Sequence, residues 1–336
     1  MAIGLFGKKK TRHGRNGRNQ TSPIEHKVAT FRPAPYEKLN EDPIRRMLQQ
    51  GRCAVLLREN MSQAASIDAQ ESIKAAKAEL ENRMALVPAG SSSIPQHLFD
   101  DSDEVEIPVD PFLLDVHVVT NGRYQKFVDG GGYDALEYWP EEIWPLLIEL
   151  KDLTGQPGPR FWRQGRCDER LWDHPVVGVS WYEAQAFALW IGQRLATEAE
   201  WQMAASWHIN SSVDIMRRFP WGDAMNSKKC NIWTSRRNGT VPVDEYASGV
   251  APNQVYQLVG NVWEWTDSEF ITCDNSGNPV VGEMPMHVVR GGAFDTYFES
   301  QVTAEFRTGQ IALARTHNTG FRCAMDLCDA TWINGD

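Results

Sequence analysis

Apolar residues first recur at helical spacing between Ile44 and Leu57, where Ile44, Met47, Leu48 and Val55 would face inward, after Pro33, Pro35 and Pro43 have kept the chain extended. A second helix is predicted from about Ser66 to Arg83. Its apolar stripe is narrow: Ile73, Ala76, Leu80 and Met84 fall on one side, with Lys74, Lys77, Glu79 and Glu81 outside it. Ser91 to Glu106 reads as a polar, acidic loop. Thr120 can cap a helix with Tyr124, Phe127 and Val128 inward, stopped by Gly130-Gly131-Gly132. Ser180 with Glu183, and Thr197 with Glu200, each make a capping box ahead of an apolar run; the first opens Trp181 to Ile191, the second a helix carrying Trp201 and Ala204. Residues 219 to 246 read as turns and short strands: Phe219-Pro220-Trp221-Gly222-Asp223 is a turn, Asn231-Ile232-Trp233 a strand start, and Thr240-Val241-Pro242-Val243 an edge strand limited by its proline.

The most informative stretch is Gly260-Asn261-Val262-Trp263-Glu264-Trp265-Thr266. Two tryptophans flanking one carboxylate describe a short strand whose rings pack while the carboxylate and nearby carbonyls face something polar or cationic. Arg290-Gly291-Gly292-Ala293-Phe294 and Gly320-Phe321-Arg322-Cys323-Ala324 follow, each setting an arginine near an aromatic and a glycine that lets backbones approach closely. Together they predict one compact sheet region.

Charge changes the picture at the N-terminus only. The chain of 336 residues has a net charge of −10, yet residues 1 to 19 carry six Lys or Arg and no acid, so the remainder stands at −16. Such a body is a poor binder of nucleic acid, and only the 1–19 segment suits one. None of the six cysteines forms a CxxC pair, and no stretch approaches the roughly 20 apolar residues that span a bilayer. The expectation is a soluble, cytoplasmic protein with reduced thiols.

These motifs, with Val119-Thr120-Asn121, Pro175 to Trp181, Arg194 to Trp201 and Phe219 to Asp223, resemble the family of the formylglycine-generating enzyme, the pyoverdine-maturation protein PvdO and the C-terminal half of the ergothioneine-pathway sulfoxide synthase. The resemblance implies an α+β, loop-rich, modified C-type-lectin-like fold, opened by a strand at Leu86 to Gly90. It divides the chain into a basic disordered tail (1–25), a helical N-terminal extension (26–83), the formylglycine-generating-enzyme-like domain (84–330) and a short tail (331–336).

Family chemistry does not carry over with the fold. The copper-holding cysteines of the formylglycine-generating enzyme would fall at Thr296 and Gln301, and no cysteine occurs from Asp274 to Arg322, so no copper is expected. The sulfoxide synthases hold iron through three histidines of a helical domain, whereas His13, His26 and His97 here show no i,i+4 pairing. Convergence of His117, His174 or His287 with a carboxylate stays open, and with it an iron site. The family's calcium site matches Gln257, Gly260, Val262 and Glu264. The alternative for Glu264 is a bond to an arginine such as Arg290 or Arg322.

What remains is a scaffold fit to bind rather than oxidise. The family includes variable proteins of diversity-generating retroelements, whose ligand surface lies between the Arg-Gly-Gly and Gly-Phe-Arg motifs. The matching segment, Ala293 to Thr319, would display Asp295, Thr296, Tyr297, Phe298, Glu299, Gln301, Arg307, Gln310, Arg315, His317 and Asn318 to a protein or small-molecule ligand. Two alternatives are a mononuclear non-haem iron oxidoreductase and a structural subunit docking through the Ser66–Arg83 helix and the basic tail.

Overall fold

The computed structural model describes residues 42–60, 67–97, 100–206, 217–273, 279–280 and 284–330, all within the unit Pro33–Asp336. The segments 1–25 and 331–336 lie outside the described residues, as do His13, His26 and His208. Among the described residues no helix is long and apolar enough to cross a membrane.

Three helices open the unit: α1 (Pro43–Gln50), α2 (Cys53–Asn60) and α3 (Ile67–Arg83). The single helix expected over Ile44 to Leu57 is two, because Gly51 takes a left-handed conformation (φ 77°) and closes α1 with its N–H on the Leu48 carbonyl. The break turns the apolar face. Cys53, Ala54, Leu56 and Leu57, rather than Val55, are buried with Ala76 and Leu80 of α3. Met84, Leu113 and Met325 complete that cluster, so the extension shares a core with the first sheet.

Next come β1 (Met84–Val87) and a hairpin of β2 (Gly90–His97) with β3 (Asp100–Val109). The hairpin corrects the loop expected over Ser91 to Glu106. Alternation is present but written in serine: Ser92 and Ile94 are buried, while Ser91 and Ser93 bond across the strands to Glu106 and Glu104. Then follow β4 (Phe112–Asp115), α4 (Asn121–Asp129), α5 (Trp181–Trp190), β5 (Arg194–Leu195) and α6 (Glu198–Ser206). The expected caps are in place: Thr120 on α4, and both reciprocal bonds of Ser180/Glu183 on α5 and of Thr197/Glu200 on α6.

The remaining strands are β6 (Trp263–Glu269), the pair β7 (Thr272–Cys273) and β8 (Pro279–Val280), β9 (Met286–Arg290), β10 (Arg307–Ile311), β11 (Thr319–Phe321) and β12 (Cys323–Asp326). They join two four-stranded sheets, ordered β1-β4-β12-β5 and β10-β9-β6-β11, with β11 parallel to β6. Two expected strands are absent. Trp233–Ser235 is a short 3-10 helix, and Val241 bonds through both its N–H and its carbonyl to the Asn261 side chain, which stands in for a strand partner. Stacked and edge-on rings fill the core between α4, α5 and β11, with Tyr124 and Phe187 stacked 5.3 Å apart.

The chain passes from the second sheet to the first through one residue, Arg322, between β11 and β12. Its Nε and Nη2 donate to the two oxygens of Glu264 on β6, both at 2.7 Å, and its other N–H groups reach the Asp115, Val116 and Tyr256 carbonyls. Trp201 Nε1 donates to the same carboxylate at 2.8 Å. Glu264 and Arg322 are both buried, so each charge depends on the other. Arg322→Met should therefore cost about 3–5 kcal/mol in urea unfolding, while Arg322→Met combined with Glu264→Gln should cost measurably less than the single change.

Candidate functional site

A cleft of about 450 Å³ opens beside the second sheet. Trp263 at the start of β6 and Phe306 before β10 give it an aromatic wall, their rings 6.0 Å apart. Opposite them sits a hydroxyl and amide network: Thr319 Oγ1 donates to Gln310 Oε1 at 3.1 Å, and Thr316 Oγ1 donates to Thr319 Oγ1 at 2.8 Å. Gln301 enters from the short helix Glu299–Gln301. Trp263 lies here because alternation along β6 sends Glu264 inward and turns its neighbour the other way.

The lip is formed by Asp295, His317 and Asn318. His317 Nε2 and Asp295 Oδ2 are 3.1 Å apart, and Asn318 Nδ2 donates to both Asp295 oxygens at 3.0 and 3.1 Å. Beyond it stands an exposed aromatic ridge of Trp233, Tyr297 and Phe298, with Tyr297 and Phe298 edge to face at 5.2 Å.

The expected contact surface is thus divided. Asp295 and His317 lie on the lip, Tyr297 and Phe298 on the ridge and Gln301 in the cleft, while Glu299 is exposed at the start of the short helix Glu299–Gln301. Three others do not belong to it. Thr296 is buried, its hydroxyl accepting the Ala293 N–H. Arg307 is drawn to Glu198 at 2.7 Å and to the Pro95 carbonyl. Arg315 pairs with buried Glu183 at 2.8 Å and donates to the Lys151 carbonyl. A long cation whose head finds an interior carboxylate is structural. Residues read from sequence only as packing or not at all, Trp263, Trp233 and Thr316, belong to the site. The signal for Trp263 was the alternation around Glu264; Trp233 had none.

The calcium donor set does not fit a cation. Glu264 gives its carboxylate to Arg322 and Trp201, Gln257 Oε1 accepts the Asn261 amide at 2.7 Å, and the Gly260 carbonyl accepts the Val262 N–H. A calcium ion here would sit beside a buried guanidinium. The histidines kept open for iron do not converge either. His117 packs on Tyr256, His174 bonds Thr240 at 3.0 Å, and His287 stacks on Trp181 at 3.7 Å. Among the described residues no three His, Cys, Asp or Glu lie together in a metal-holding group. The copper positions fare the same way: Thr296 is internal, Gln301 is an amide, and neither offers a thiolate.

The profile of the sulfatase-modifying factor enzyme 1-like domain matches residues 69–327. The chain belongs to this family. Hercynine oxygenase of Mycolicibacterium smegmatis is 33% identical over 210 residues, 60% of this chain and 45% of that protein; the chain thus spans less than half of it. The formylglycine-generating enzyme of Thermomonospora curvata is 31% identical over 271 residues, 66% of this chain and 84% of the enzyme. The solved structure of CarF superposes with a TM-score of 0.51 at 18% identity, covering 72% of this chain and 97% of CarF, a likeness of fold. In this sulfatase-modifying-factor-like chain Glu264, Trp265, Arg290–Gly292 and Gly320–Arg322 are framework, and Trp263, Gln301, Gln310 and the 316–319 turn line the cleft.

Two outcomes follow from this geometry. Dialysis against a chelator, or addition of calcium, should leave the unfolding temperature within about 1 °C of its starting value; a shift of several degrees would reveal a cation that the donor set does not provide. Burial pushes the His287 imidazole down to about 4. The folded state thus keeps His287 neutral where the unfolded chain, near its ordinary value of about 6.5, has taken up a proton. Its contribution is full above that value and is lost as pH falls from about 6.5 toward 4, by up to about 3 kcal/mol. His287→Phe, which keeps the stacking, should flatten that part of the stability-against-pH curve.

Proposed function

We propose that this chain is a non-catalytic binding module whose cleft between Trp263, Gln301 and the edge strand β10 holds an uncharged polar ligand, either a protein segment or a small molecule. The observation that carries this reading is Gln301 in the cleft lining, an amide with nothing soft or nucleophilic about it, where counting from Gly292 would put one of the family's copper-holding cysteines. Amide and hydroxyl groups around it both donate and accept, which suits a neutral ligand, and Trp263 and Phe306 give it an apolar face. The ridge of Trp233, Tyr297 and Phe298 extends the contact area toward a macromolecular partner.

An iron oxygenase reading is weaker on the residues. The cleft's imidazole and carboxylate, His317 and Asp295, bond each other, and no third donor joins them among the described residues. A surface varied by a diversity-generating retroelement is the extended form of the reading. It would have to work through Tyr297, Phe298, Glu299 and Gln301, because changing Thr296, Arg307 or Arg315 would strip internal carboxylates and turns of their partners.

Thermal-shift screening of the intact chain against a metabolite collection and a peptide array tests it. Ligands that raise the unfolding temperature should bind about tenfold more weakly to Gln301→Leu and should quench Trp263 fluorescence. Hits indifferent to Gln301→Leu would place binding elsewhere and overturn the reading.

A further inference from the structure

A separate cavity, of about 290 Å³, lies between the helical extension and the sheet domain. Leu48 and Gly51 at the end of α1, Glu79 and Arg83 on α3, and Arg123 and Lys126 on α4 wall it. The charges around it do not balance. Arg123 Nη1 donates to Asp115 Oδ2 at 2.8 Å, and the same carboxylate is the nearest buried acid to Arg83, whose Nε stands 3.6 Å from Oδ1, beyond hydrogen-bonding distance. The other acid in reach, Glu79, is half exposed and also 3.6 Å from Arg83. Arg83 Nε and Nη2 and Arg123 Nη2 are buried without a hydrogen-bond partner, as is Asp115 Oδ1 beside them, and Lys126 brings a third cation to the rim.

Neither guanidinium can discharge itself by losing a proton at neutral pH. Burial first and then the nearby Arg123 press the Arg83 pKa downward, while Asp115 holds that of Arg123 up. Water in the cavity does not offset the excess of three cations, Arg83, Arg123 and Lys126, over the two acids Asp115 and Glu79. An oxyanion does, since a planar guanidinium presents paired donors to a phosphate or carboxylate. The volume is small for a ligand site, enough for a phosphate or a compact acid and little more.

We propose that this cavity is an anion-binding site that takes a phosphate or carboxylate group of a small molecule between Arg83, Arg123 and Lys126. Occupancy joins α3 to α4 and so ties the helical extension to the domain. The site is remote in composition from the Trp263–Gln301 cleft, shares no residue with it, and stands or falls independently of the function proposed there.

The test is thermal unfolding of the full chain in rising inorganic phosphate, and separately in citrate, against chloride at matched ionic strength. A saturable rise in unfolding temperature is expected from at least one of the two, which also tells a phosphate site from a carboxylate site. Lys126→Met, on an exposed side chain, should raise the apparent dissociation constant about tenfold. Arg83→Met should abolish the saturable rise and unfold no earlier than the parent in chloride, because it removes surplus buried charge; if it does not fold, Lys126→Met decides. No saturable rise with either anion, or a rise unchanged in Lys126→Met, would overturn the proposal.

Discussion

The structure depends on a buried ion pair. Glu264 and Arg322 are each enclosed, each has its hydrogen-bonding capacity used, and together they sit where the backbone leaves one sheet and enters the other. Arg322 also collects three carbonyls from the end of β4 and from the loop before β6. A hydrophobic pair could fill that volume but could not receive those carbonyls, which would then be buried without donors. The same carboxylate holds Trp201 of α6, so a single acid fixes two sheets and a helix relative to one another.

A second polar centre repeats the logic. Arg290 lies over the Trp201 ring at 5.3 Å, pairs with Glu198 at 2.8 Å, and donates to Gln202 and the Ala304 carbonyl. Gly291 follows in a left-handed conformation (φ 93°), and a side chain there would meet the Leu258 carbonyl at 2.6 Å. The glycines of the Arg-Gly-Gly motif therefore let backbone pass under a core ring, and the arginine locks what has passed. Both motif arginines are framework, which leaves the chain between them to form the cleft.

Much of this was legible in the sequence where a local rule set the outcome. Capping boxes at Ser180 and Thr197, the cap at Thr120 and the strand at Trp263–Trp265 all rest on groups within a few residues of each other. Failures arose where partners are distant. The β2–β3 hairpin hid because its alternation used serine against glutamate, and Val241 escaped because a side chain, Asn261, replaced a neighbouring strand. Arg307 and Arg315 look like ligand-facing cations until the fold shows Glu198 and Glu183 behind them. Glu264 was readable as a cation ligand or as an arginine's partner, and only the path of the chain through Arg322 decides between them.

Framework and cleft meet along β6: Glu264 and Trp265 are buried in the brace of the sheets, while Trp263 beside them lines a cleft of amides, hydroxyls and rings. On the function proposed above, this cleft holds a ligand rather than oxidising one. That is tested most directly by loading the purified chain anaerobically with Cu(I) or Fe(II), desalting it, and measuring retained metal together with oxygen uptake on exposure to air. The account predicts retention well below one ion per chain and no uptake beyond that of the desalted buffer. One retained ion per chain that sustains oxygen consumption would contradict it.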